Sequence, residues 1–442
     1  MPRIVPRAEH PISRSAISPN ALKVLYRLKE AGFQSFLVGG SVRDLLLGLR
    51  PKDFDIATNA LPDEVRSIFR NCRLIGRRFR LAHVYFGNDV VEVATFRAAH
   101  EEDEERDEDD WRARDPEGER VLDARGRILR DNVYGTVEED VWRRDFTANA
   151  LYYNIADFSV WDFVDGVRDV QARTLRLIGD PVTRYHEDPV RMLRAVRFAA
   201  KLEFSIDPAT ETPLLDLGYL LSHVPPARLF DEIMKLFLGG FGARSLALLR
   251  QYGLLEQLFP ETAAALAKDP DGASAQLMMR GIENTDRRVA ADKPVTPTFL
   301  FAMLLFAPIM ARASHGAENI DSHKLFAVCE EVLREQQSRV SIPRRFTLPM
   351  RDMFTLQPRF HRRDGRKALA LLQHPRFRAA YDLLLLRCEV GLEDPELGEW
   401  WTEVQTASPT EREAMTRLST GPATSVRRPR RRRRRRRPPS SS

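Results

Sequence analysis

Asp53 and Asp55 stand two residues apart in Asp53-Phe54-Asp55, at the head of a stretch, Phe54–Thr58, that reads as a strand. Positions i and i+2 of a strand face the same side. Two carboxylates on one face repel each other unless a cation lies between them. Such oxygen ligands suit magnesium, which keeps some of its waters and often binds substrate phosphates. Spacing by itself fits equally well two solvent-facing aspartates at a strand edge. Upstream, Gly39-Gly40 joins a short apolar strand, Phe36–Val38, to a helix, where backbone N–H groups can point at an anion. Arg43, one turn into that helix, is within reach of a phosphate. A Gly-Gly turn need only permit a tight bend. The turn, the arginine and the paired carboxylates in one short stretch make the stronger signal.

A third carboxylate would complete a two-metal site for in-line displacement. Glu92 is one candidate, mid-strand in Val90–Ala94 among apolar neighbours; buried there it needs a partner, and otherwise it faces outward at an edge. Asp145, in Arg143-Arg144-Asp145-Phe146-Thr147, is the other, and it reads equally as a salt-bridged aspartate at a helix end.

Elements must position these groups. Residues 1–17 read as a flexible leader. Ser18-Pro19 opens a helix to about Glu30, with the serine as cap and proline in the first turn. Pro62–Phe69 reads as a further helix. Ala82–Phe86 and Val90–Phe96 alternate around Gly87-Asn88-Asp89, a hairpin signal. Strands and helices are thus mixed, with an antiparallel pair, which indicates an α+β domain with a mixed sheet. The charged block 101–130 reads as a solvated insertion. Beyond about Pro181 helical periodicity takes over. Leu193, Val196 and Ala200 form one apolar stripe, and Leu229, Ile233, Leu236 and Phe237 another. The expected organisation is leader 1–17, head 18–175, helical neck 176–260, helical body and leg 261–418, and disordered arginine-rich tail 419–442.

Composition excludes several classes. The 442 residues are 43% hydrophobic and 30% charged, as in a globular protein of about three domains. The net charge of +6 hides a split, since residues 427–437 hold ten arginines; without them 59 basic residues face 63 acidic ones. A basic tail on a near-neutral body points to a polyanion, nucleic acid before membrane. Three widely spaced cysteines indicate neither a disulfide framework nor a zinc site, and a reducing compartment, the cytoplasm, is the simpler reading. The longest apolar run, Phe299–Ala311, has 13 residues and contains Pro308, too short for a membrane span. No P-loop motif occurs.

The run Phe36-Leu37-Val38-Gly39-Gly40-Ser41-Val42-Arg43-Asp44, followed by Asp53-Phe54-Asp55, resembles the head of the tRNA nucleotidyltransferase and bacterial poly(A) polymerase family. Arg143–Thr147 and Glu187-Asp188-Pro189-Val190-Arg191-Met192-Leu193-Arg194 match that family's later motifs in order. The likeness covers about residues 20–240. Asn71–His83, Arg130–Gly135, Pro375–Leu384 and the arginine-rich end resemble the poly(A) polymerase branch more than the CCA-adding one. The resemblance implies a catalytic head followed by helical neck, body and leg. It implies that Asp53 and Asp55 bind Mg2+, with a second Mg2+ expected at the triphosphate, that Asp145 belongs to the active site, and that Gly39, Gly40 and Arg43 hold phosphates of ATP.

The resemblance also gives Asp188, Arg191 and Arg194 a meaning. They step by three along a helix expected over Glu187–Leu202. As plain helix chemistry they are a cap and salt bridges worth a few tenths of a kcal/mol each. As a protein template, Asp188 accepts from the amino group of adenine or cytosine and Arg191 donates to the adjacent ring nitrogen. Guanine and uracil present the reversed pattern, at a cost of about 1–3 kcal/mol per unpaired group. The pair does not separate A from C. The expected activity is addition of AMP from ATP to RNA 3′ ends, with RNA-decay proteins as possible partners. A CCA-adding enzyme and a non-catalytic RNA-binding protein on the same scaffold are the alternatives. The clusters Arg344-Arg345, Arg362-Arg363, Arg366-Lys367 and Arg376/Arg378 are candidates for tracking the RNA backbone.

Overall fold

The computed structural model describes residues 1–76, 80–98, 120–122, 128–131, 133–314 and 320–417. The acidic run 101–110 and the arginine tail lie outside the described residues. The chain forms two compact units, one built from 1–268, 281–300 and 334–342, the other from 269–280, 301–333 and residues from 343 onward.

The first unit holds an eight-stranded mixed sheet. Its strands are β1 (Arg3–Val5), β2 (Ser35–Val38), β3 (Asp55–Thr58), β4 (Cys72–Ile75), β5 (Leu81–Phe86), β6 (Asp89–Thr95), β9 (Leu151–Asn154) and β10 (Val160–Asp162). Two short strands between them, β7 (Arg120–Leu122) and β8 (Ile128–Asp131), pair with each other apart from the main sheet, so part of the expected insertion 101–130 is a hairpin. The spatial order is β1-β10-β9-β2-β3-β6-β5-β4. All neighbours run antiparallel except β3 and β6. The expected hairpin is β5–β6, turning at Gly87 with φ +65°.

The two faces of this sheet differ. Leu37, Ile56, Val84, Val91 and Val93 alternate onto one face, all buried, under the helices α1 (Pro19–Glu30) and α3 (Pro62–Ile68). Ser18 caps α1 as expected, accepting from the Asn20 N–H. On the other face Phe36, Val38, Ala57, Phe96 and Tyr152 pack with Val141 and Ile178. That cover spans β9, β2 and β3, and it stops short of β5 and β4.

The flexible leader is corrected. Residues 3–5 pair with β10 and form the sheet edge, while Val5, Ile12 and Ile17 are buried. His10 locks the segment: its Nδ1 accepts from the Ile12 N–H at 3.3 Å, so Nε2 donates to the Phe158 carbonyl at 2.9 Å. Few apolar residues suffice here because an edge strand needs backbone partners more than a core.

From Pro181 the unit is nearly all helical. The helix Val190–Leu202 buries Leu193, Val196 and Ala200, and Pro226–Phe237 buries Leu229, Ile233, Leu236 and Phe237, the two expected stripes. The second unit has helices and no strands among its described residues, with a core around Phe360, Phe377, Tyr381 and Trp401. The apolar run beginning at Phe299 lies in two helices, Pro297–Leu304 and Phe306–Ser314, bent by 50°. No single helix among the described residues is long and apolar enough to cross a membrane. The three cysteines are free.

Candidate active site

Asp55 opens β3 opposite Val38 of β2, and Asp53 lies just before the strand rather than inside it. Both are exposed. Ile56 pairs with Val93, so one step back along these parallel strands Asp55 has Glu92 as its lateral neighbour on the same face. Protein walls around the Asp55 carboxylate remove part of its hydration, and the charges of Glu92 and Asp53 add to this; together they push its pKa up to about 6 against the pull of Arg144. Glu92 is therefore neither buried nor on an edge strand. It is exposed on the inner strand β6, with His83 Nε2 3.4 Å from its Oε1.

Among the described residues, no three His, Cys, Asp or Glu side chains close into a ready-made metal cage. Asp53, Asp55 and Glu92 instead form a patch of mutually repelling carboxylates. That donor chemistry fits a divalent, oxygen-preferring cation, which would relieve the repulsion that adds to the effect of burial on Asp55.

Asp145 sits elsewhere. Its side chain is largely buried and is not among the charges acting on Asp55. It accepts from Arg194 Nε at 2.7 Å and from the Phe146 N–H at 2.8 Å, and Asn149 Nδ2 lies 3.3 Å away. Burial would raise its pKa, but the Arg194 charge and these donors outweigh that and hold it below the usual carboxylate range. Geometry thus sets Glu92, not Asp145, beside Asp55, and Asp145 braces the helix Val190–Leu202 against the head.

The glycine turn has the expected special backbone. Gly39 has φ +71° and ψ −137°, a region open to glycine, and starts the seven-residue helix α2 (Gly40–Leu46). Arg43 does not face outward from it, contrary to expectation. It is 1% exposed, and its guanidinium donates to Asp44 Oδ1 at 2.9 and 2.6 Å and to Asn149 Oδ1. With its side chain 2% exposed, against 23% for Arg144, it braces the turn and is not placed to grip a phosphate. The cation next to the turn is Arg144, whose Nη1 lies 3.5 Å from where a Gly39 side chain would begin. Arg144 donates to Tyr152 Oη at 2.7 Å and to Asp140 Oδ2 at 3.0 Å. Burial opposes its charge, but Tyr152 and Asp140 hold it protonated. Sequence reasoning passed over Arg144; its adjacency to Asp145 in the Arg143–Thr147 motif was the only signal.

The three template candidates share a neighbourhood, each in an ion pair. Asp188 follows the helix Pro181–Glu187; its Oδ1 accepts from the Val190 N–H at 3.2 Å and its Oδ2 pairs with Arg228 at 2.6 Å. Arg191 donates to Glu187 at 2.6 Å and to the Arg184 carbonyl at 2.7 Å, and Arg194 turns toward Asp145. The helix they lead, Val190–Leu202, begins two residues after Asp188, later than expected, because Pro189 breaks from the preceding helix. Its Phe198 packs edge-on against Phe146 at 5.7 Å and lies under the guanidinium of Arg43 at 5.6 Å. The template helix thus contacts the head on the β2 side of the carboxylates. Arg228, the partner of Asp188, was not legible because that pairing crosses between helices forty residues apart, whereas Glu187 and Arg191 stand at ordinary helix salt-bridge spacing.

Residues 35–176 match the poly A polymerase head domain, 203–266 the probable RNA and SrmB-binding site of polymerase A, and 317–438 the polymerase A arginine-rich C-terminus. Poly(A) polymerase I of Salmonella typhimurium is 48% identical over 436 residues, covering 97% of this chain and 91% of that protein. A CCA-adding enzyme of Lactobacillus gasseri is 35% identical over 238 residues, 54% of each chain. Among solved structures, the Bacillus stearothermophilus CCA-adding enzyme in complex with CTP aligns with TM-score 0.57 and 25% identity, covering 87% of this chain and 81% of that one.

Proposed function

This chain belongs to the poly(A) polymerase I family, and from that premise we propose that Asp53, Asp55 and Glu92 form the catalytic centre of a template-independent poly(A) polymerase. It is a polynucleotide adenylyltransferase, adding AMP from ATP to RNA 3′ ends. The CCA-adding enzymes are more distant relatives. The observation that supports the centre is the placement of Glu92 and Asp53 beside Asp55: burial first, and then the charges of these two carboxylates, push its pKa up to about 6.

Asp53 and Asp55, with Glu92, would hold Mg2+. When bound, the metal would lower the pKa of the RNA 3′-hydroxyl and neutralise the pyrophosphate leaving group. The Gly39 turn and Arg144 supply N–H groups and positive charge for the triphosphate, with Arg43 holding the turn in place through Asp44 and Asn149. Asp188 accepts from the adenine amino group and Arg191 donates to its ring nitrogen, while Arg194, tied to Asp145, fixes the template helix. Catalysis is then mostly positioning and charge stabilisation. The arginine-rich tail and the exposed pairs Arg344-Arg345 and Arg366-Lys367 track the RNA backbone. Three free cysteines fit a reducing compartment, and we place the reaction in the cytoplasm, in RNA processing and decay.

The test is extension of a short RNA with each NTP separately, in magnesium. Long A-tracts from ATP are expected, and addition stopping at C-C-A on tRNA-like ends contradicts the reading. Alanine at both Asp53 and Asp55 should lower transfer at least 1,000-fold, on the order of what loss of charge stabilisation costs, with the circular dichroism spectrum unchanged.

A further inference from the structure

The sheet face that carries the carboxylates does not end with them. In the order β2-β3-β6-β5-β4, Glu92 faces His83 on β5, and His83 faces Arg73 on β4. Tyr85, two residues beyond His83, shares their face. The Arg73 guanidinium lies over the Tyr85 ring at 5.5 Å, and the His83 ring is 6.4 Å from it. Ile75 and Val90, on the same face, are 42% and 38% exposed. Among the described residues, no helix covers this stretch, and no carboxylate pairs with Arg73. The opposite face of the same strands packs under α1 and α3, so among the described residues only this side is open.

The layout has a direction. The template helix and the Gly39 turn lie on the β2 side of Asp55. In-line displacement at phosphorus places the attacking oxygen opposite the leaving pyrophosphate. With the nucleotide arriving from the β2 side, the attacking 3′-hydroxyl arrives from the β5–β4 side. We infer that the open face of β6, β5 and β4 is the track for the last nucleotides of the RNA, with Tyr85 stacking a base and Arg73 meeting a phosphate. This rests on the assignment of Asp53, Asp55 and Glu92 above. The chemistry suits a single strand of any sequence, since every base offers a stacking face and every step a phosphate. Adjacent strands lie about 4.8 Å apart, so β5 is roughly 10 Å and β4 roughly 15 Å from Asp55, within two to three nucleotides of the reacting end. Tyr85 and Arg73 bind substrate here and take no part in bond making.

The test is steady-state kinetics of the full chain on an oligo(A) primer. Tyr85→Ala should raise KM for RNA about tenfold while KM for ATP stays within twofold, and Tyr85→Phe should restore it. Arg73→Ala should reduce the salt slope of RNA binding by about one. A primer carrying 4-thiouridine as its penultimate nucleotide should cross-link to the Leu81–Phe86 peptide. An unchanged RNA KM in the Tyr85→Ala/Arg73→Ala double variant overturns the track, and so does a cross-link confined to other peptides. An equal rise in both KM values also overturns it, because it would put the nucleotide on this side. Asp53→Asn activity is a separate readout: if that variant still adds AMP, the catalytic assignment fails whatever the RNA kinetics show.

Discussion

At the scale of single residues, the site is a bargain between chemistry and stability. Asp55 has a folded pKa near 6, above its ordinary value of 3.8. The protonated form is favoured in the fold, so below about pH 4 the residue costs nothing. As pH rises from about 4 through 6 the folded carboxylate ionises against Glu92 and Asp53, and stability is lost. Asp55→Asn in EDTA should therefore raise the melting temperature at pH 7.5 and leave it unchanged at pH 4. Because solvent reaches the carboxylate, the expected gain is discounted to about 1 kcal/mol, a few degrees by calorimetry. Magnesium added to the unaltered protein should produce a comparable rise and should do little for Asp55→Asn. The two aspartates stand out in sequence because their closeness is local, although strand alternation does not place Asp53, which precedes β3. The fate of Arg43 was not, since burial of a guanidinium depends on Asn149, more than a hundred residues away.

Between elements, the decisive contact is Asp145 with Arg194. Asp145 follows the helix Val137–Trp142 and Arg194 lies on Val190–Leu202, so the pair fastens the template helix to the head. Asn149 extends the link to Arg43 and hence to the Gly39 turn. Asp145→Ala strips a partner from a mostly enclosed arginine. Full removal from a buried pair costs about 3–5 kcal/mol; Arg194 keeps some solvent, so about 2 kcal/mol is expected by urea denaturation. KM for ATP should rise with it, because the helix bearing Asp188 and Arg191 is no longer held. The motif around Asp145 was visible in sequence, and so were its catalytic and salt-bridged readings; its partner Arg194, forty-nine residues on, was not. A catalytic aspartate and a fastening one look identical until their neighbours are known. Helix stripes were read correctly for the opposite reason, since the 3.6-residue period needs no distant partner.

For the molecule as a whole, mixed strand and helix signals before residue 180 and helical periodicity after it gave the α+β head and helical remainder. Boundaries fared differently. The first compact unit holds head and following helices together to Lys268 and takes back segments 281–300 and 334–342, an exchange that no linear reading of composition could reveal. The charge split operates at this scale too. Ten arginines after position 426 should release counterions on binding RNA. Deleting the residues after Gly421 should flatten the dependence of RNA affinity on salt concentration without changing the preference for ATP; an unchanged slope in a filter-binding titration would remove the tail from the RNA side.

The edge strand Arg3–Val5 has one more implication. Its hydrogen-bonding partner, Val160–Asp162, lies more than 150 residues later in the chain. At typical synthesis rates of about 5–20 residues per second, that partner emerges roughly 8–30 seconds after the strand itself. Throughout that interval the nascent chain carries a sticky β-segment with nothing to pair with, so slowing translation within this span should favour aggregation, and a bulky fusion just ahead of Arg3 would crowd the last seam of the sheet to close.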